Sequence, residues 1–197
     1  MPGLWRIGER MRVKTGSEVL LAERADLLRG RRIGLVSNPT GVFADLTSTL
    51  DALLHYPHAR VAALFGPEHG IRAGIQDGIA VSSETDAETG LPVYSLYGPI
   101  RKPTAEMLTG IDLLIFDIQD VGCRFYTYLY TMSYLLEAAA EHTIPILVLD
   151  RPNPLGGLAV EGNILEPAFS SFVGRHPIPI RYGPVSYTHL TLPTKRI

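Results

Sequence analysis

The chain has 197 residues, 46% of them hydrophobic, with 18 Lys and Arg against 20 Asp and Glu for a formal charge of −2. That length holds one full domain, or one domain and a fragment, and the apolar fraction excludes a disordered chain. A slightly acidic chain presents phosphates with no broad attractive field, which argues against a nucleic acid or an anionic membrane surface as partner.

The opening MPGLWRIGERMRVKTG lacks the apolar centre of a signal peptide, and no apolar run approaches the roughly 20 residues that span a bilayer. The expectation is no targeting or membrane segment and a cytoplasmic location. The single cysteine, Cys123, excludes an internal disulfide and a cysteine-built zinc cluster.

In chain order, a helix is predicted over Ser17 to Leu28, capped by Ser17 and stopped by Gly30. A strand follows from Arg32 to Asn38, then a helical stretch with Leu46, Leu50, Leu53 and Leu54 on one face. Further strands are predicted at Val61 to Gly66, Val93 to Leu96, Asp112 to Ile118 and Ile144 to Asp150. A helix with Leu129, Met132, Leu136 and Ala139 on one stripe precedes the last of them. Strands apolar on both faces and separated by helices define an α/β fold, a doubly wound and mostly parallel sheet with helices on both faces. After Asp150, Pro152, Pro154, Gly156, Gly157, Gly162 and Pro167 predict a structured loop.

In an open parallel sheet, ligands bind beyond the carboxyl ends of the strands. Those positions carry Ser37-Asn38-Pro39-Thr40-Gly41, Gly66-Pro67-Glu68-His69-Gly70, Asp117 to Tyr126, and Asp150-Arg151-Pro152-Asn153-Pro154. Carboxylates, amides, guanidinium groups and an imidazole thus converge on one rim, whereas the opposite strand ends carry ordinary residues such as Arg31, Arg60 and Thr143. Plain structural roles stand beside the functional ones. Asn38 to Gly41 also reads as a turn leading into a helix, and Glu68 as a helix cap or a partner for Arg72. Asp117 and Asp150 suit bonds to loop amides, and Cys123 a small buried thiol. Of Tyr126, Tyr128, Tyr130 and Tyr134, only Tyr126 lies near enough to the rim to be a ligand contact, and His55 and His58 read as surface residues. Gly70, Gly74 and Gly78 do not form a dinucleotide fingerprint, and there is no Walker loop, HExxH helix or G-x-S-x-G elbow.

FGPEHG, DIQDVGCRFYTY and LDRPNPLGG, in this order and together with SNPTG, resemble the NamZ or YbbC-type family of exo-β-N-acetylmuramidases over Val13 to Gly183. The resemblance implies a Rossmann-like N-terminal domain that binds no dinucleotide, truncated here before a second α/β domain. Residues 13–183 form that domain, and residues 184–197 resemble translated sequencing-adapter read-through and are read as a tail. It implies a glycoside hydrolase that releases terminal, non-reducing N-acetylmuramic acid from peptidoglycan fragments, with no cofactor and no metal. Members of the family are often exported.

The family's essential glutamate matches Glu68, which suits a general acid because packing beside Pro67 partly desolvates its carboxyl. Asp120 is the candidate second carboxylate, with Asp117 and Asp150 behind it and the substrate's own acetamido group as the alternative. The substrate's lactyl carboxylate calls for a cation, for which Arg124, Arg151 and Arg72 are candidates. Asn38, His69, Gln119 and Asn153 would bond hydroxyls or the N-acetyl group, and Tyr126 would stack on a sugar face. The rival reading is a non-catalytic carbohydrate-binding or scaffold domain, with a nucleotide-binding module third.

Overall fold

The computed structural model describes residues 13–68, 70–72 and 84–183. The elements are α1 (Gly16–Glu23), β1 (Arg32–Ser37), α2 (Thr49–Leu54), β2 (Arg60–Gly66), β3 (Glu84–Thr85), β4 (Pro92–Ser95), β5 (Leu113–Asp117), α3 (Tyr128–Glu141) and β6 (Ile146–Val148). They build a six-stranded sheet in the order β3-β4-β2-β1-β5-β6, in which β1, β2, β4, β5 and β6 run parallel and the two-residue β3 is antiparallel at one edge.

Both faces are covered, as the strand composition predicts. Ile33 and Leu35 of β1 and Leu113 and Ile115 of β5 point into a cluster with Leu20 of α1 and Leu50 and Leu53 of α2. Val36, Leu114 and Phe116 point the other way, against Leu129, Met132, Leu136 and Ala139 of α3. A bulge between Ile33 and Gly34 of β1 and their β2 partners, Val61 and Ala63, leaves Ala62 as an extra residue. The insertion puts Val61 in one cluster and Ala63 in the other, with Leu64 and Phe65 alternating after it.

Two helices differ from expectation, each for a local reason. The first starts one residue earlier, because Thr15 and Glu18 cap each other reciprocally while Ser17 is buried. It ends at Glu23, and a separate 3-10 turn covers Ala25–Leu28 before Gly30. The second is only six residues long. Asp45 accepts from the Thr47 amide (3.0 Å), and Phe43 and Thr47 close a tight turn that leaves Leu46 78% exposed at φ 68°. Leu46 is therefore not on the buried stripe, and Leu54 is largely exposed. Beyond β6 the described chain is irregular apart from a 3-10 turn at Pro167–Phe169, matching the expected structured loop.

Candidate active site

The parallel strands deliver Ser37, Gly66, Asp117 and Val148 to one edge of the sheet, since Ser37 is in register with Asp117 and Val36 with Phe65. Strand order reverses between β1 and β5, the place where doubly wound sheets open a crevice. Here that crevice is filled from within. Asp117 is fully buried, and Arg151, its side chain 6% exposed, donates to it from Nε (2.6 Å) and Nη2 (3.0 Å). Thr49 adds a hydroxyl bond to Asp117 at 2.5 Å, and Arg151 Nη1 reaches the Val42 carbonyl at 3.0 Å. Gly41 completes the packing, because a Cβ there would collide with Ser37 Oγ and come within 3.0 Å of the Asp117 carbonyl.

Around this plug lie the rim loops. Asn38, 6% exposed, accepts from the Thr40 amide (3.0 Å) and hydroxyl (2.5 Å), so SNPTG is the expected turn, of the Asx kind, while the next helix begins only at Thr49. Thr40 Oγ1 in turn accepts from the Gln119 amide at 2.9 Å. Glu68, half-buried, stands on the turn closed by Gly70 N–H to the Pro67 carbonyl (2.9 Å). One of its carboxyl oxygens accepts from the Thr127 hydroxyl at 3.0 Å, at the start of α3. Next to Thr127, Tyr128 is pushed up from its ordinary pKa by burial and by the Glu68 charge, against a hydrogen bond from Asn38. Glu68, Asn38 and the start of α3 therefore share one neighbourhood.

Asp120, also half-buried, accepts from the Tyr182 hydroxyl through both oxygens, at 2.8 and 3.0 Å. Tyr182 is fully buried, and its amide bonds the Gly122 carbonyl (3.0 Å). Gly122 has φ 71° and lies so close to Asn153 that a Cβ would fall 2.5 Å from its Nδ2. Tyr130, its hydroxyl 2.5 Å from the Arg124 carbonyl, is driven up to about 12 by burial. Tyr126 is 42% exposed, its ring 5.8 Å from Phe125 and 6.0 Å from Tyr128.

Several anticipated ligand side chains are committed to the protein itself. The Arg151 guanidinium lies beneath the rim, paired with Asp117. Asp117 acts structurally, through a guanidinium and a hydroxyl rather than loop amides. Gln119 Nε2 donates to the Asp120 (2.7 Å) and Pro152 (2.9 Å) carbonyls, and Asn153 Nδ2 to those of Tyr182 and Gly183 at 3.1 and 3.2 Å. Arg72 grips Asp86 through two bonds (2.7 and 3.1 Å) and Glu88 at 2.6 Å rather than Glu68, and holds the Asp86 carboxyl down to about 2. Arg124 spends Nη1 on the Asn163 (2.8 Å) and Ile178 (2.7 Å) carbonyls. Asp150 is exposed and offers its carbonyl to the Gly16 amide at the start of α1. Cys123 is half-buried rather than buried, and His55 and His58 are exposed as expected. His69 lies outside the described residues. Thr127 and Tyr182 escaped sequence reasoning, although Thr127 stands within the long DIQDVGCRFYTY motif; the sequence puts Thr40 on the rim without a role of its own, and Tyr128 too far from the rim.

The fold and site thus define a Rossmann-like α/β domain with two carboxylates on the rim and its switch point sealed by an ion pair. The family model described as Exo-beta-N-acetylmuramidase NamZ, N-terminal, matches residues 33–187, and the chain belongs to that family. It is 55% identical over 175 residues to the peptidoglycan beta-N-acetylmuramidase NamZ of Bacillus subtilis strain 168, covering 89% of this chain and 42% of that protein. Two solved structures of DUF1343 family proteins from Bacteroides fragilis are similar. One has a TM-score of 0.81 at 51% identity, over 89% of this chain and 44% of that one. The other has a TM-score of 0.71 at 42% identity, over 86% and 43%. The chain therefore spans less than half the length of these relatives.

Proposed function

We propose that this chain carries the acid-bearing rim of a glycoside hydrolase acting on peptidoglycan fragments, releasing terminal non-reducing N-acetylmuramic acid with Glu68 as general acid. The observation that carries the reading is the half-buried Glu68 carboxyl, held by Thr127 on the same sheet edge that presents Asp120. The Bacillus relative's name and the family match support the reaction class.

Cleavage of a glycosidic bond needs a proton on the departing oxygen while positive charge develops in the sugar ring. Glu68 delivers the proton, and Asp120 is the second carboxylate, opposing that charge. Arg124 receives the lactyl carboxylate, because among the described residues only its Nη1 has hydrogen-bond partners, leaving Nε and Nη2 to form a fork. The exposed ring of Tyr126 stacks on a sugar face.

In a Glu68→Gln variant, hydrolysis of a disaccharide bearing non-reducing N-acetylmuramic acid should fall roughly 100-fold or more, the usual worth of a general acid. Turnover within a few-fold of the parent removes the assignment. Binding of the disaccharide without release of reducing sugar by the parent would favour the non-catalytic reading instead.

A further inference from the structure

Thr127 occupies the position before α3, yet its side chain makes no capping bond and its backbone is already helical, at φ −76° and ψ −16°. A threonine in this place ordinarily turns its oxygen onto the helix amides. This hydroxyl instead donates to Glu68 at 3.0 Å, although the two residues are 59 positions apart. Its backbone cannot drift, because the Thr127 carbonyl accepts from the Tyr130 amide (3.0 Å), the Thr131 amide (2.9 Å) and the Thr131 hydroxyl (3.3 Å). The residue is 7% exposed, so water competes little for the bond. A firmly anchored donor therefore addresses one particular oxygen of the carboxyl group.

We infer that Thr127 is a positioning residue that determines which oxygen of Glu68 carries the catalytic proton; this rests on the reading of Glu68 as general acid. With Oε2 occupied by the threonine donor, the acid proton sits on Oε1. It passes from Oε1 to the glycosidic oxygen as the bond from that oxygen to the anomeric carbon breaks, the bonding pair leaving with the oxygen. Glu68 is then a carboxylate whose Oε2 the hydroxyl continues to bond, so the contact is strongest once the proton has gone. Help of that kind belongs to the transition state and appears in kcat rather than KM.

The test compares Thr127→Val and Thr127→Ser with the parent on two substrates, the muramyl disaccharide and a nitrophenyl muramide whose leaving group departs without protonation. Thr127→Val should lower kcat on the disaccharide about tenfold with KM little changed, leave the nitrophenyl substrate nearly untouched, and be rescued by Thr127→Ser. Equal losses on both substrates, or no loss on either, overturn the inference. A second measurement needs no turnover: the side-chain carboxyl carbon resonance of Glu68 should move in Thr127→Val and return in Thr127→Ser, and an unmoved resonance also overturns it. If Glu68→Gln keeps full activity while the resonance moves, the acid assignment fails and the contact stands. If Glu68→Gln abolishes activity and Thr127→Val behaves as the parent, the positioning role alone fails.

Discussion

Arg151 and Asp117 bury opposite charges against each other, with side chains 6% and 0% exposed, at the point where the sheet reverses its strand order. Such a pair offsets its own desolvation only while both members and their neutral partners are in place. Arg151→Met leaves the Asp117 carboxylate with Thr49 alone, and should cost about 3–5 kcal/mol in urea unfolding. Pairing it with Asp117→Leu should cost less than the two single changes added together, since no stranded charge remains. Full additivity would mean that the two side chains do not interact. The same pair marks where reading residue types off strand ends stops working. An arginine following an apolar strand looks the same whether it faces a ligand or turns under the loop. Only the position of its carboxylate partner, 34 residues away, decides between them.

At the scale of elements, the segment after β6 is fastened to α3 through His176. Its Nε2 lies 3.0 Å from the buried Ser133 hydroxyl, with Tyr130 stacked nearby, Arg175 against Glu137 at 2.7 Å, and Arg175 also donating to Ser133. Burial first, and the Arg175 charge second, push the imidazole below its ordinary pKa, with Glu137 opposing. The unfolded ring therefore takes up a proton more readily than the folded one. The neutral ring's contribution is fully present above about pH 6.5 and is lost as pH falls through the lower folded value. Amide protection factors in residues 175–182, taken relative to intrinsic exchange at each pH, should fall below that pH, and His176→Gln should flatten the dependence. Unchanged protection across that range would disprove the fastening. Element positions were legible because periodicity reports burial: α3 shows its whole stripe, and the five longer strands fall where apolar runs lie. Lengths were less so. Leu46 completes a helical pattern, but the Asp45 and Thr47 side chains bond locally and win the residue for a turn. Strand β6 is shorter and only half-buried because it lies at the edge of the sheet, which composition does not reveal.

For the molecule as a whole, the layered fold and the convergence of its motifs on one rim follow from the strand pattern, because parallel strands must end together. What the rim residues bond to does not follow, since those partners are set by loops that fold back from far along the chain, as Tyr182 does onto Asp120. The sealed switch point bears on the nucleotide-binding reading. The place where a dinucleotide's phosphates rest in sheets of this winding already contains the Asp117 anion, and α2 carries Asp51 in its first turn. Saturating NAD or ATP should leave the thermal unfolding midpoint unchanged, and a rise of several degrees would restore that reading.

The bulge at Ala62 has a consequence out of proportion to its single methyl group. Strand β2 enters the sheet on one pleat and leaves it on the opposite one, and the turn bearing Glu68 follows four residues after Phe65's neighbour Leu64. Excising Ala62 would leave Val61, Ala63, Leu64 and Phe65 alternating without a break against Ile33, Gly34, Leu35 and Val36, so Leu64 and Phe65 would keep their layers while the local bend that the extra residue gives the strand would be lost. One unpaired residue thus tilts the strand that leads to Glu68 while every core side chain on it stays in its own layer.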